Sequence, residues 1–72
     1  MYWEYRVVDH TNDKEIWFSI HEIYYYSDGS IMGWIKSPAD ACGETLDEVR
    51  ASIEDMETAL SKPIYKVGEL PK

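Results

Sequence analysis

The chain has 72 residues, of which 14 are acidic and 7 are basic, so its net charge is −7. A chain of this length forms one domain with a thin hydrophobic core, and its single cysteine, Cys42, excludes an intramolecular disulfide. The acidic excess disfavours nucleic acids and anionic membranes as partners, because both attract Lys and Arg, and it permits a basic protein partner.

The N-terminal residues MYWEYRVV mix charged side chains with apolar ones and lack the long apolar run of a secretory signal. No segment is apolar over the length that a membrane-spanning helix requires. A single cysteine also suits a reducing compartment. We therefore expect a cytoplasmic protein.

Segments rich in aromatic and β-branched residues predict two strands, at residues 2–9 and 16–26. Asp28 and Gly29 follow the second segment and form the pair that tight hairpins favour, since both turn residues then adopt a positive φ. The hairpin predicts a returning third strand at residues 31–36.

Thr45 and Glu48 form the spacing of a capping box and predict the start of a helix over residues 46–61. Apolar residues then recur at intervals of three or four, which indicates one apolar stripe along the helix. The stripe consists of Leu46, Val49, Ile53, Met56 and Leu60. Residues 62–72 are predicted to be a tail, within which residues 64–67 are a candidate fourth strand.

The order β-β-β-α, with an optional last strand, predicts a single α+β domain over residues 1–72. We expect two layers, in which an antiparallel sheet of three strands, or four if residues 64–67 join it, packs against one C-terminal helix.

The second strand contains WFSIHEIYYY, in which successive side chains face opposite sides of the sheet. Both sides are apolar, whereas one helix covers only one of them. We expect Phe18 and Ile20 to face the helix, which would leave an aromatic face open to a partner. The predicted contact residues on that open face are Trp17, His21, Tyr25 and Trp34.

No pattern of residues predicts an active site. His21 could act with Glu4 or Arg6 on a neighbouring strand, but a lone histidine on a strand is more often structural or part of an interface. Three side chains near the first turn could bind a metal weakly but match no spaced motif: Asp9, His10 and Asp13. We therefore predict no catalytic residue, no cofactor and no metal site.

Two stretches carry a family resemblance. WFSIHEIYY and GETL are similar to a group of short bacterial proteins with no established activity. More distantly, the order of elements and the stretch GETLDEVRASIEDMETAL resemble the HicB-like antitoxin fold, in which a meander of strands leads to a helix and a last strand. Gly43, Thr45, Glu48 and the apolar stripe match that family's helix motif.

The HicB-like resemblance implies a partial ribonuclease-H-like fold without the nuclease carboxylates. It also implies a role in binding and blocking a small basic toxin that cleaves RNA. Antitoxins of that family often carry a DNA-binding segment after this core. Because the sequence ends at Lys72, we expect neither DNA binding nor autoregulation here.

Three functions stay open from the sequence. The one we favour is a non-catalytic interaction module that binds a protein partner, or a second copy of itself as a homodimer, through the open aromatic face. The second is a HicB-like antitoxin, or a degenerate relative, that binds a small basic toxin. The third is a small enzyme or ligand-binding protein that uses His21.

Overall fold

Four strands and one helix form an α+β structure in the computed structural model, which describes all 72 residues. The strands are β1 (Tyr2–Asp9), β2 (Phe18–Tyr25), β3 (Ile31–Trp34) and β4 (Tyr65–Lys66). The helix α1 (Leu46–Glu57) lies between β3 and β4. Short 3-10 helices follow α1 and β4, at Thr58–Ser61 and Val67–Glu69.

The sheet is mixed, with the strand order β3-β2-β1-β4. β1 and β2 pair in antiparallel fashion along their whole length, and Arg6 lies opposite His21. β3 is antiparallel to β2, whereas β4 runs parallel to β1 through the pairs Val8–Tyr65 and Asp9–Lys66. The prediction of an entirely antiparallel sheet is therefore wrong for β4, because the chain returns past α1 to the far edge of β1.

The β2–β3 hairpin turns on Gly29, whose φ is +90°. No other residue in the chain has a positive φ, so the expectation that Asp28 would also adopt one is wrong. The Gly29 N–H donates to the carbonyl of Tyr26 (3.0 Å), and the Tyr26 N–H donates to the carbonyl of Ser30 (2.8 Å). These bonds close a three-residue loop between Tyr26 and Ser30, in which only the glycine has to adopt a positive φ.

The hydrophobic core lies on one face of the sheet and is closed by the end of the chain. Val8, Ile23 and Tyr25 from β1 and β2 form a buried cluster with Leu70. Leu70 is only 7% exposed, so residues 62–72 are not a free tail as predicted. We call residues 62–72 the C-terminal segment. Its Leu70 and Tyr65 side chains pack against Ile23 and Tyr25, which removes this part of β2 from water.

The helix begins at the predicted capping box. The Thr45 hydroxyl accepts a hydrogen bond from the Glu48 N–H (3.1 Å), and the Glu48 carboxylate accepts one from the Thr45 N–H (3.2 Å). α1 buries none of its own residues, and Ala59 in the following 3-10 helix makes the fully buried contact instead. The helix is too short and too polar to cross a lipid bilayer.

Candidate functional site

The four residues predicted to form an open aromatic face have different environments in the structure. His21 is fully buried and Tyr25 is 3% exposed, whereas Trp17 is 46% exposed and Trp34 is half-buried. The open position assigned to His21 and Tyr25 is therefore wrong, because the C-terminal segment covers Tyr25, and His10 and Trp34 pack against the His21 ring. Neither side chain is accessible to a partner in this fold. A contact role for Trp17 and Trp34 stays a prediction.

Polar bonds anchor the C-terminal segment over that face. The Trp34 indole N–H donates to the carbonyl of Pro71 (2.6 Å). The Arg6 guanidinium donates to the carbonyl of Pro63 and to the hydroxyls of Tyr25 (3.1 Å) and Tyr65 (3.3 Å). It also lies 4.3 Å from the centre of the Tyr65 ring. The sequence alone did not indicate that a charged residue would hold the end of the chain in place.

Glu4 completes this network from β1. Its carboxylate lies 3.2 Å from Arg6 and 2.6 Å from the Lys62 ammonium. Burial by itself would raise the pKa of Glu4, but the hydrogen bond and charge of Lys62, together with Arg6, hold that pKa below its ordinary value. Burial and the hydrogen bond to Tyr65 raise the pKa of Tyr25 far above its usual range. All of these groups are used for internal pairing.

A second polar cluster lies on the same face, where β2 begins. The His10 Nε2 is 3.1 Å from the His21 Nε2, and the Ser19 hydroxyl lies 3.0 Å from the former and 2.7 Å from the latter. We call these three residues the two-histidine cluster. His10 reaches it because its N–H donates to the carbonyl of Trp17 (2.8 Å), which brings the loop after β1 back onto β2.

The tautomer of the neutral His21 ring follows from its hydrogen bonds. Its Nδ1 lies 2.9 Å from the carbonyl oxygen of Ile35, which can only accept, so Nδ1 carries the proton of the neutral ring. The Nε2 atom then presents a lone pair to Ser19 and His10. Burial, and then the nearby His21, lower the pKa of His10 below its ordinary value.

The carboxylates named in the sequence analysis lie elsewhere. Glu4 is opposite Ile23 in the register of β1 and β2 and is bonded to Arg6 and Lys62, so it forms no pair with His21. Asp9 accepts a hydrogen bond from the Thr11 N–H instead. No three His, Cys, Asp or Glu side chains converge anywhere in the chain. Asp9, His10 and Asp13, which were considered for weak metal binding, are therefore not brought together.

The other side of the sheet carries an apolar groove beside α1. Its volume is about 300 Å³, and we call it the helix groove. Ile20 lies in it, as predicted for the helix-facing side of β2, whereas Phe18 is 49% exposed. The other lining residues are Ala41, Ile53, Met56, Glu57 and Leu60. Leu60 and Ile53 remain 71% and 52% exposed, so this face of the helix is open to solvent.

Acidic residues border the exposed apolar stripe of α1. Helical spacing places Glu57, Glu54 and Asp47 on the flank of the stripe that faces solvent. Arg50 lies among them and is 3.7 Å from the Asp47 carboxylate. The helix groove therefore combines an apolar floor with one predominantly negative border.

Comparison with protein-family models, curated proteins and solved structures finds no match to this chain. The resemblances to HicB-like antitoxins and to the group of short bacterial proteins therefore stay predictions.

Proposed function

We propose that this protein is a non-catalytic interaction module that binds a basic protein segment in the helix groove. The proposal rests on the exposure of the apolar side chains along α1. An amphipathic helix normally buries its apolar stripe, yet α1 buries no residue, and Leu46, Ile53 and Leu60 are 83%, 52% and 71% exposed. A contiguous exposed apolar surface on a soluble domain is typical of an interaction site.

Charge supports a basic partner rather than a second copy. Asp47, Glu54 and Glu57 border the stripe, and the whole chain carries a net charge of −7. A partner with an apolar ridge flanked by Lys or Arg would satisfy both the groove and its border. Two copies joined through this surface would instead bring two acidic borders together, which disfavours that pairing.

This proposal keeps the predicted class of function but moves its surface. The C-terminal segment packs over Tyr25 of the predicted aromatic face and bonds to Trp34, and Leu70 of that segment is only 7% exposed. A HicB-like antitoxin would be one form of the same module, since the toxin that the resemblance implies is small and basic. A gene for a small basic protein beside this one would support that form, and its absence would weigh against it.

A designed peptide tests the proposal directly. The probe is a helical peptide with apolar residues at positions i, i+3, i+4 and i+7 and lysine at its remaining positions, and binding is followed by fluorescence anisotropy. We expect Ile53→Gln to weaken binding about 10-fold or more, which corresponds to about 1.4 kcal/mol. Ile64→Gln is the matched control, because Ile64 is 54% exposed, as Ile53 is at 52%, and lies outside the groove.

Two results would overturn the proposal. One is an Ile53→Gln protein that binds the lysine peptide as tightly as the Ile64→Gln protein does. The other is equal binding of a second peptide in which every lysine is replaced by glutamate. The remaining alternative is that a second copy of the chain binds in the groove. Light scattering across a dilution series tests it, since a stable dimer that Ile53→Gln dissociates would assign the groove to a second copy.

A further inference from the structure

The two-histidine cluster is not used by the helix groove, which lies on the opposite side of the sheet. From its geometry we infer that His10, Ser19 and His21 bind one divalent transition-metal ion of the copper(II) or nickel(II) class. The two Nε2 atoms are the principal ligands, and the Ser19 hydroxyl is the third, weaker one. Water would complete the coordination.

The distances between the three ligand atoms match one face of a metal's coordination sphere. They are 3.1 Å between the two Nε2 atoms and 3.0 Å and 2.7 Å from these to the Ser19 Oγ. With metal–ligand bonds of about 2.0–2.1 Å, neighbouring ligands are about 2.9 Å apart at right angles and about 3.4 Å apart in a tetrahedron. The observed spacing favours right-angled geometry, which copper(II) and nickel(II) adopt with nitrogen and oxygen ligands.

The number of protons in the cluster also favours a cation. When its ring is neutral, as a metal ligand must be, His21 donates its Nδ1–H to the Ile35 carbonyl, and its Nε2 then brings only a lone pair. The cluster then has at most two protons to donate, one on the His10 Nε2 and one on the Ser19 hydroxyl. Three short contacts join its three atoms, so one contact lacks a proton of its own. A metal ion would accept a lone pair from each of the three atoms at once.

The surroundings hold the two rings as a metal site does. Metal-binding histidines usually donate their other ring N–H to a carbonyl or carboxylate, as His21 does to Ile35. The His21 ring is fully buried against Trp34, with 5.0 Å between the ring centres. The His10 ring lies against Trp17, with 4.5 Å between the ring centres. His10 is only half-buried, so it forms the side of the cluster that faces solvent, and an ion would enter from there.

The test uses the full chain carrying Cys42→Ser, because Cys42 is an exposed free thiol that would bind the same metals. Copper(II) chloride and nickel(II) chloride are titrated separately and followed by calorimetry and by tryptophan fluorescence. We expect one ion per chain and quenching by copper, since Trp17 and Trp34 adjoin the cluster. Adding His10→Gln should weaken binding about 10-fold or more, as loss of a metal-site partner does.

Absence of binding, or equal binding after His10→Gln, would overturn the inference. Circular dichroism first checks that the His10→Gln protein remains folded. A second measurement needs no variant of the cluster: nickel(II) should broaden the ring resonances of both histidines in the NMR spectrum before those of the acidic helix α1. Broadening confined to the carboxylates of α1 or to the N-terminus would also overturn it.

Discussion

Replacing Leu70 by alanine tests whether the C-terminal segment belongs to the core. Leu70 is 7% exposed and packs with Val8 and Ile23, so Leu70→Ala removes buried methyl groups and leaves a cavity. Such substitutions cost about 2–5 kcal/mol, and we expect the lower part of that range because the end of a chain relaxes more easily than a central strand. A stability of about 4–11 kcal/mol for a chain of this length makes this loss large.

Urea unfolding followed by tryptophan fluorescence measures the loss. The matched control is Leu60→Ala, which makes the same change at a leucine that is 71% exposed and should change stability by about 0.5 kcal/mol or less. If both variants lost the same small amount, the C-terminal segment would not cover the aromatic side of the sheet in solution. The reassignment of the interaction surface to the helix groove would then lose its basis.

Two further predictions concern the helix cap and the acidic network. Thr45→Ala should remove one half of the capping box and destabilise the helix by about 1 kcal/mol. Because α1 buries no residue, we expect this loss to appear mainly as faster amide hydrogen exchange within α1, with only a small fall in the urea midpoint of the whole protein. The pKa of Glu4 is lower in the folded protein than its ordinary value of 4.5. The ionised carboxylate therefore stabilises the fold fully when the pH is above 4.5, and this stabilisation is lost as the pH falls through the lower pKa of the folded state. Urea midpoints at pH 7 and pH 3 should therefore differ more for the wild type than for Glu4→Gln, and equal differences would contradict this pairing.

Local signals in the sequence account for the parts of the fold that were predicted correctly. The capping box at Thr45 lies within four residues, and the hairpin signal at Gly29 lies within one turn. The first two strands and the helical run from Leu46 to Ser61 depend on patterns of similarly short range, although β2 begins at Phe18 rather than at residue 16 and β3 ends at Trp34 rather than at residue 36. Each of these features is decided by neighbouring residues.

The features that were missed depend on contacts between distant residues. The stretch GELPK has no periodicity, and only the position of Leu70 against Val8 and Ile23 shows that it belongs to the core. The two sides of β2 are similarly apolar, so composition alone could not decide which one the chain itself would cover. The approach of His10 to His21 likewise depends on the path of the intervening loop, which the strand pattern does not specify.

The distribution of internal bonds explains why a partner would bind beside the helix rather than on the aromatic side. Displacing the C-terminal segment would break the bonds from Trp34 to Pro71 and from Arg6 to Pro63, and would also expose Leu70. A ligand entering the helix groove would break none of these, because α1 buries no residue and the groove is already open to solvent. Binding there adds apolar contact without removing any that the fold requires.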